Sequence, residues 1–442
     1  MKKNNITCIE SSHQQQPSFS STKTTTAEPD FHLPDDCWEH VFTFLDGGDF
    51  NSLSLVSKHF LSITNRLLLS ITVFSPPPSL LSRIFQRFSS LNSLDLWFDP
   101  CNLDAGIALA LRDRATLKSL SIFMIKLNDA KYLDIDVTAM YIDSFMSLKG
   151  LNCLNLCNSK ISDDLLYSIA REPLPLKRFV IKHCTGYTYN GIYSLLSNCQ
   201  SIQHLGFQDD DFLDNDHVDA LSLLLPDLVS INLSHCRNLT ESALFALIRN
   251  CHSLREITME GKYNTRRENV EKYDALKGFH MNPLLKFLHL ANNSFIYNES
   301  LILFASIFPN LELLDLSFCK RISEQGICQI LSRCHRIRHL NLESCIGVRR
   351  LKMNFAVHQL EVLNLSGTRV DDKTLYEISK SCCGLLQLLL RCCPLVTKKG
   401  VVCVVVRCTQ LKKIDLADCD NVHADDVVSM ISLRSSLKIK KR

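Results

Sequence analysis

The chain lacks an uninterrupted apolar run of the roughly 20 residues needed to cross a bilayer, so no helical membrane span is expected. It also lacks a strong excess of either charge. Lys plus Arg number 49 and Asp plus Glu 46, and the resulting +3 is too small to make nucleic acid the expected partner. No phosphate-binding glycine loop, nucleophile elbow or spaced metal-ligand cluster occurs, which argues against an intrinsic enzyme and against a cofactor. Residues 1–20 hold no apolar core of a secretory signal, so the 20 cysteines are expected to be reduced thiols. Residues 1–29, rich in Ser, Thr and Gln, have too little apolar surface to fold and are expected to form a disordered tail.

What is present is a repeat. Leu311-Glu-Leu-Leu-Asp-Leu-Ser-Phe-Cys319 recurs in degenerate copies beginning at Leu91, Leu117, Leu151, Leu176, Ile202, Leu228, Leu254, Leu285, Leu311, Ile337, Leu360, Leu385 and Leu411. Most intervals are 25 or 26 residues; two are longer, 34 after Leu117 and 31 after Leu254, and read as insertions. Within a unit, Leu311, Leu314 and Leu316 carry the alternation of a short strand, while Gly326, Ile327, Ile330 and Leu331 switch to helical spacing. The switch recurs at Leu244, Leu247 and Ile248, at Ile192, Leu195 and Leu196, and at Val401, Val404 and Val405. One strand and one helix of this length cannot bury an apolar side alone. Neighbouring units must stack, with parallel strands on one wall and helices on the other. The pattern resembles a leucine-rich-repeat horseshoe, an α/β solenoid with a concave sheet and convex helices.

Six cysteines, Cys184, Cys236, Cys319, Cys345, Cys393 and Cys419, lie eight residues after a repeat start, and Cys199, Cys251, Cys334, Cys382 and Cys408 lie three before one. A small buried side chain with a weak donor suits the turn off a strand. A zinc site built from Cys382, Cys383, Cys392 and Cys393 is the competing reading, but these residues fall on or beside positions that hold single cysteines in other repeats. The placement resembles the cysteine-containing leucine-rich repeats of F-box proteins.

Ahead of the repeats, Leu33-Pro-Asp-Asp-Cys-Trp-Glu-His-Val-Phe-Thr-Phe-Leu45 opens with proline and two acids, the signature of a helix start. Cys37, Val41, Phe44 and Leu45 make one apolar face, which Trp38 and Phe42 extend. Asp46-Gly-Gly48 is read as the stop, and a second helix carries Leu53, Val56, Phe60, Ile63 and Leu67. A module of this size seldom folds without help, and its apolar excess implies a partner. With Leu55-Val-Ser-Lys-His-Phe60 as its closing motif, the segment 30–70 resembles the F-box. Ser57 replaces the usual Cys and Phe60 the usual Trp.

The resemblance implies a non-catalytic adaptor, docked on the Skp adaptor and through it on a cullin and RING subunit, with a protein substrate held by the repeats. Leu33, Pro34, Val41, Phe44, Leu45, Leu53, Val56 and Phe60 match the F-box positions that meet the Skp adaptor or hold the module together. Residues 71–90 are read as an atypical capping or linker repeat, with a strand that Ile71–Phe74 could add, and 91–442 as the solenoid of about thirteen repeats. Nucleus and cytoplasm are the compartments such an adaptor implies.

Substrate contacts are expected on the concave wall. The solvent-facing positions there are Trp97 and Phe123, Arg178 and Lys182, His204 and Gln208, and farther on His339, Glu343 and Arg391. Asn155, Asn232, Asn341 and Asn364 repeat at one position and are read as satisfying neighbouring strands. The long repeats add candidate loops, one containing Arg266 and Arg267, which suit a phosphate or acidic motif. Plant hormone receptors are similar in layout and hold an inositol polyphosphate; the basic residues available for that here are Lys118, Arg178 and Lys182. A binding scaffold without ubiquitination is the other alternative.

Overall fold

A computed structural model describes residues 33–45, 47–99, 105–125, 138–261 and 280–441. It divides into two compact units, 1–199 and 200–442. The first begins with three helices, α1 (Asp35–Phe42), α2 (Gly47–Ser54) and α3 (Lys58–Leu67). Strand and helix then alternate through β1 (Ser70–Phe74), α4 (Pro78–Arg87), β2 (Ser93–Phe98), α5 (Ala105–Leu111) and β3 (Ser119–Met124). α6 (Thr138–Ser147), β4 (Cys153–Cys157), α7 (Asp163–Arg171), β5 (Arg178–Lys182) and α8 (Tyr189–Asn198) complete it.

The second unit runs β6 (His204–Gln208), α9 (Asn215–Leu224), β7 (Ser230–Asn232), α10 (Glu241–Asn250) and β8 (Glu256–Thr258). It continues with β9 (Phe287–His289), α11 (Asn298–Ile307), β10 (Leu313–Asp315), α12 (Glu324–Arg333) and β11 (His339–Asn341). β12 (Val362–Asn364), α13 (Asp372–Ser381), β13 (Gln387–Leu389), α14 (Lys398–Arg407), β14 (Lys413–Asp415), α15 (Ala424–Leu433) and β15 (Lys438–Lys440) close it. In each unit the strands pair in parallel, in sequence order, with equivalent repeat positions opposite one another: Leu94 with Leu120 in the first, Leu314 with Leu340 in the second. This is the leucine-rich-repeat fold.

The register explains the sequence pattern. Leu311, Leu314 and Leu316 are all fully buried, as are Ile327, Ile330 and Leu331 on α12, so strand and helix meet through one leucine-rich layer. The strand ends at a residue in the left-handed region, seven after the repeat start: Asn158, His183, His235, Asn292, Ser344 and Asp418 all have φ between 51° and 66°. Asx, Ser and His tolerate that conformation better than bulky residues, and Cys392 at φ 55° and the costlier Phe318 at φ 61° are the exceptions.

The first repeat start and the last strand escape the sequence reading. Leu68 is buried at the position of a repeat start, with β1 following it in register with β2, and β15, preceded by the buried Leu437, pairs with β14 one residue out of step with the usual spacing. The expected capping repeat thus begins at Leu68, with a left-handed Ser75 seven residues after it. One unit loses its expected helix: between β11 and β12 the chain carries none, and Val348, Leu351, Met353 and Val357 fill the layer from an irregular segment.

Candidate functional site

The N-terminal module is three helices where two are predicted. Pro34 caps α1, its carbonyl accepting from the amides of Cys37 and Trp38 at 3.0 and 3.3 Å. α1 stops after Phe42, and the Gly47–Gly48 pair opens α2 instead of ending α1. Ser57 interrupts the predicted second helix, because its hydroxyl accepts the Phe60 amide at 3.1 Å and so caps α3. Arg66 ties α3 to α1 through Asp35 at 2.5 Å and Glu39 at 2.8 Å.

The two apolar faces of α1 exchange roles. Phe42, read as an extension, is the buried centre with Phe50 and Ile63, and its ring meets Phe60 edge-on at 5.2 Å, with Trp38 against Phe60 at 4.9 Å. Leu45 and Leu53 pack on the same centre. Cys37, Val41 and Phe44, read as the main face, point to solvent, Phe44 being 77% exposed. Leu33, Pro34, Leu55 and Val56 are exposed as well, Leu55 at 87% and Val56 at 66%. The eight candidate residues therefore fall into an interior set, Leu45, Leu53 and Phe60, and an outer set, Leu33, Pro34, Val41, Phe44 and Val56. Leu55 belongs with the outer set; adjacency to Val56 in the closing motif was its one signal.

The sheet of the first unit presents an aromatic row on its open face. Phe74, Trp97 and Phe123 occupy one register line, stacked at 5.7 and 4.4 Å between centroids. Phe74 lay outside the candidate list because its repeat start, Leu68, went unrecognised. The line continues through Cys157 to the exposed Lys182, about 10 Å beyond Phe123 at two strand spacings. Arg178 stands at the other end of β5, roughly 13 Å from Lys182 along the strand, and Lys118 lies near Arg178's end. The three cations do not converge, so the basic cluster suited to an inositol polyphosphate is not assembled by this sheet.

In the second unit His204 contacts the Ser230 hydroxyl at 2.7 Å and Gln208 is half-buried. His339 is exposed on β11, Glu343 accepts from Asn364 at 3.1 Å, and Arg391 pairs with Asp418 at 3.0 Å. The repeated asparagines bridge strands: Asn155 donates to Ser121 at 3.0 Å and Asn341 to Asp315 at 3.1 Å. Arg266 and Arg267 lie outside the described residues.

The cysteines eight residues into each repeat form a ladder of thiol donors. Cys184, Cys319, Cys345, Cys393 and Cys419 donate to the carbonyls of Leu156, Leu290, Leu316, Leu365 and Leu390 in the preceding repeat, at 3.3, 3.2, 3.0, 3.1 and 2.8 Å. Where cysteine is missing, Asn293 donates in its place to the Met259 carbonyl of the preceding repeat at 2.5 Å, while Thr368 turns to the Leu365 carbonyl of its own repeat at 2.6 Å. Burial pushes the Cys236, Cys251, Cys319 and Cys382 thiols up to about 12, which holds them neutral and unreactive. The four cysteines weighed as a zinc site are split, Cys382 and Cys393 buried, Cys383 and Cys392 exposed, and no group of three or more metal-ligating side chains gathers among the described residues. Cys383 instead lies 3.2 Å from His358, two exposed side chains at equivalent positions of successive repeats.

The F-box domain family model matches residues 31–71, the three helices and the start of β1. Residues 31–71 thus match an F-box domain, set directly ahead of the leucine-rich repeats. Among curated proteins the chain is 27% identical over 158 residues to the antagonist of mitotic exit network protein 1 of Eremothecium gossypii; the match takes in 34% of this chain and spans 40% of that protein's length. Among solved structures, Rad7 in the yeast Rad7–Elc1 complex superposes with a TM-score of 0.54 at 16% identity, over 92% of this chain and 93% of the other, a likeness of fold. A leucine-rich-repeat protein of Leptospira interrogans gives 0.47 at 15% identity, over 81% and 91%.

The F-box joins the repeats without a linker. α3 ends at Leu67, Leu68 is the first inward repeat leucine, and the Leu69 carbonyl accepts from Asn92 and Ser93 at 3.0 and 2.9 Å. Arg87 of α4 donates to Asn65 of α3 at 3.0 Å. No helix among the described residues is long and apolar enough to cross a membrane.

Proposed function

We propose that this chain is the substrate-recognition subunit of a Skp-cullin-F-box ubiquitin ligase, performing no chemistry of its own. The observation that carries this is the outer set of the F-box: Leu33, Val41, Phe44, Leu55 and Val56 are 48–87% exposed on a module whose own centre is already filled by Phe42, Phe50 and Ile63. Apolar side chains left in water on so small a body suit a partner surface, the Skp adaptor, which in turn reaches a cullin and RING subunit. The stacked Phe74, Trp97 and Phe123, with Lys182 in line, form the substrate surface: flat apolar anchors beside one cation. The linker-free F-box junction presents that surface at a fixed angle, and holding a substrate lysine near the conjugating enzyme is the whole mechanism. Nucleus and cytoplasm are the compartments in which it would act.

The test is co-purification with a Skp adaptor. Phe44→Asp with Val56→Asp changes exposed side chains only, so the thermal unfolding midpoint should hold while adaptor binding is lost. Unimpaired binding would defeat the assignment. In cells, partners captured through the sheet by intact protein should accumulate when cullins are inhibited, and Trp97→Ala should release them; partners whose abundance never responds would indicate a non-degrading scaffold.

A further inference from the structure

The unit between β11 and β12 differs from the others in a way the proposed ligase role does not use. Among the fully described strand-to-strand passages it alone has no helix, so the helix layer is interrupted: α12 packs on α11 and α13 on α14. The interruption leaves two open recesses of about 850 and 720 Å³ that share Arg350 and Lys352. Their walls combine apolar surface, Met353, Tyr376, Cys403 and the half-exposed Leu395, with a set of cations.

The cations are largely unspent. Arg349, Lys352, Arg369, Lys373 and Lys399 line the recesses and form no ion pair among the described residues, whereas Arg350 is held by Asp371 at 3.2 Å. Two nearby carboxylates are already engaged: Asp371 also accepts from the Thr374 amide at 3.0 Å, and Asp372 accepts from Thr397 at 2.8 and 2.6 Å. Lys380 and Arg407 add further positive charge, standing over the Tyr376 ring at 5.2 and 4.8 Å. Glu324 and Glu377 sit among these cations and oppose a densely charged phosphate ligand, while the apolar walls favour a partner that brings side-chain carbon as well as carboxylates.

We propose that this helix-less repeat docks an acidic amphipathic helix of a partner protein, which occupies the gap in the helix layer. Its carboxylates meet the row of free lysines and arginines, and its apolar stripe covers Met353, Tyr376 and Leu395. This site is independent of the sheet face and of the F-box.

The probe is a fluorescein-labelled peptide of about 18 residues, five helical turns, built from Glu and Leu at amphipathic spacing. It would be titrated into full-length protein by fluorescence anisotropy, beside a scrambled peptide of the same composition, polyglutamate of the same length and inositol hexakisphosphate as competitor. The amphipathic peptide should bind, and the K352E, K373E, K399E triple variant should lose at least about tenfold in affinity. Tyr376→Ala should weaken binding, while Lys182→Glu on the sheet face should leave it unchanged. All three reversed lysines are exposed, so the circular dichroism spectrum and unfolding midpoint should be retained. Equal binding by the triple variant, equal binding of the scrambled peptide or polyglutamate, or displacement by the inositol phosphate at equal charge would each overturn the proposal, the last two by showing a simple polyanion site.

Discussion

At the scale of the residue, the repeat position that turns the chain is governed by two demands: a left-handed backbone, then a donor that reaches back to the previous strand. The left-handed demand is met by Asn, Asp, His and Ser, and the donor demand mainly by cysteine. Because the thiols are buried, their pKa values rise from 9.0 to about 12 at Cys236, Cys251, Cys319 and Cys382. The sign follows from linkage. Between those limits the unfolded chain loses thiol protons that the folded chain keeps, so stability is complete below about pH 9 and falls as pH rises toward 12, by up to about 1.4 kcal/mol per pH unit for each such thiol. The urea midpoint should therefore drop between pH 8 and pH 10.5, and a Cys236→Ala, Cys319→Ala variant, less stable at pH 8, should show a shallower drop. Parallel slopes would mean these thiols do not titrate on unfolding. The ladder was legible in the sequence because a fixed offset of eight residues survives degeneracy. The repeat start at Leu68 and the strand after Leu437 were not, because the first is embedded in Leu67-Leu68-Leu69 at a helix end and the second holds lysines where strand residues alternate.

At the scale of the element, successive helices are tied by their first residues. Asp163 of α7 accepts the amide and hydroxyl of Thr188, the cap of α8, at 2.8 and 2.7 Å; Asp372 does the same for Thr397 ahead of α14, and Asn298 bonds Ser323 ahead of α12. Glycine at the third position of the later helix lets the side chain come close. A Cβ at Gly400 would sit 2.4 Å from Asp372 Oδ1 and 2.9 Å from its Cα. Helix propensity alone favours alanine over glycine by about 1 kcal/mol. The clash, at roughly 1–3 kcal/mol, outweighs it, so Gly400→Ala should lower the unfolding midpoint. Asp372→Ala costs two hydrogen bonds, about 2 kcal/mol, and the double variant should cost less than the sum because the nearest clashing atom is gone. Additive losses in a double-mutant cycle would show that the two sites do not meet. The inverted α1 belongs to the same scale. Helical periodicity revealed two adjacent apolar stripes, Val41 with Phe44 and Trp38 with Phe42, but periodicity carries no sign for which stripe faces inward. Only the position of α3, which brings Phe60 onto Trp38 and Phe42, decides it.

At the scale of the whole molecule, the last F-box helix runs directly into the first repeat, and this limits how the two can be separated. Leu68 and Val73 lie within the first repeat's apolar layer, and β1 covers the edge of β2 across five registered pairs. A chain beginning at Leu68 keeps that residue and β1 without the apolar face of α3 that packs on α1 and α2, and should remain monomeric with its cap intact. A chain beginning at Pro76 loses two buried side chains, about 4 kcal/mol at roughly 2 kcal/mol each. It also bares the backbone of β2 beside a half-uncovered Trp97, an open strand edge of the kind that pairs with another copy. Size-exclusion chromatography should therefore show association for the shorter chain and none for the longer. Identical profiles would mean that β1 is dispensable to the repeats. If the profiles differ as argued, a deletion that removes the F-box through β1 perturbs the proposed substrate sheet as well, since Phe74 leaves the aromatic stack with it. Separation of adaptor binding from substrate binding then has to rest on point changes in the exposed set, Phe44 and Val56, which touch neither the buried centre of the F-box nor the first strand.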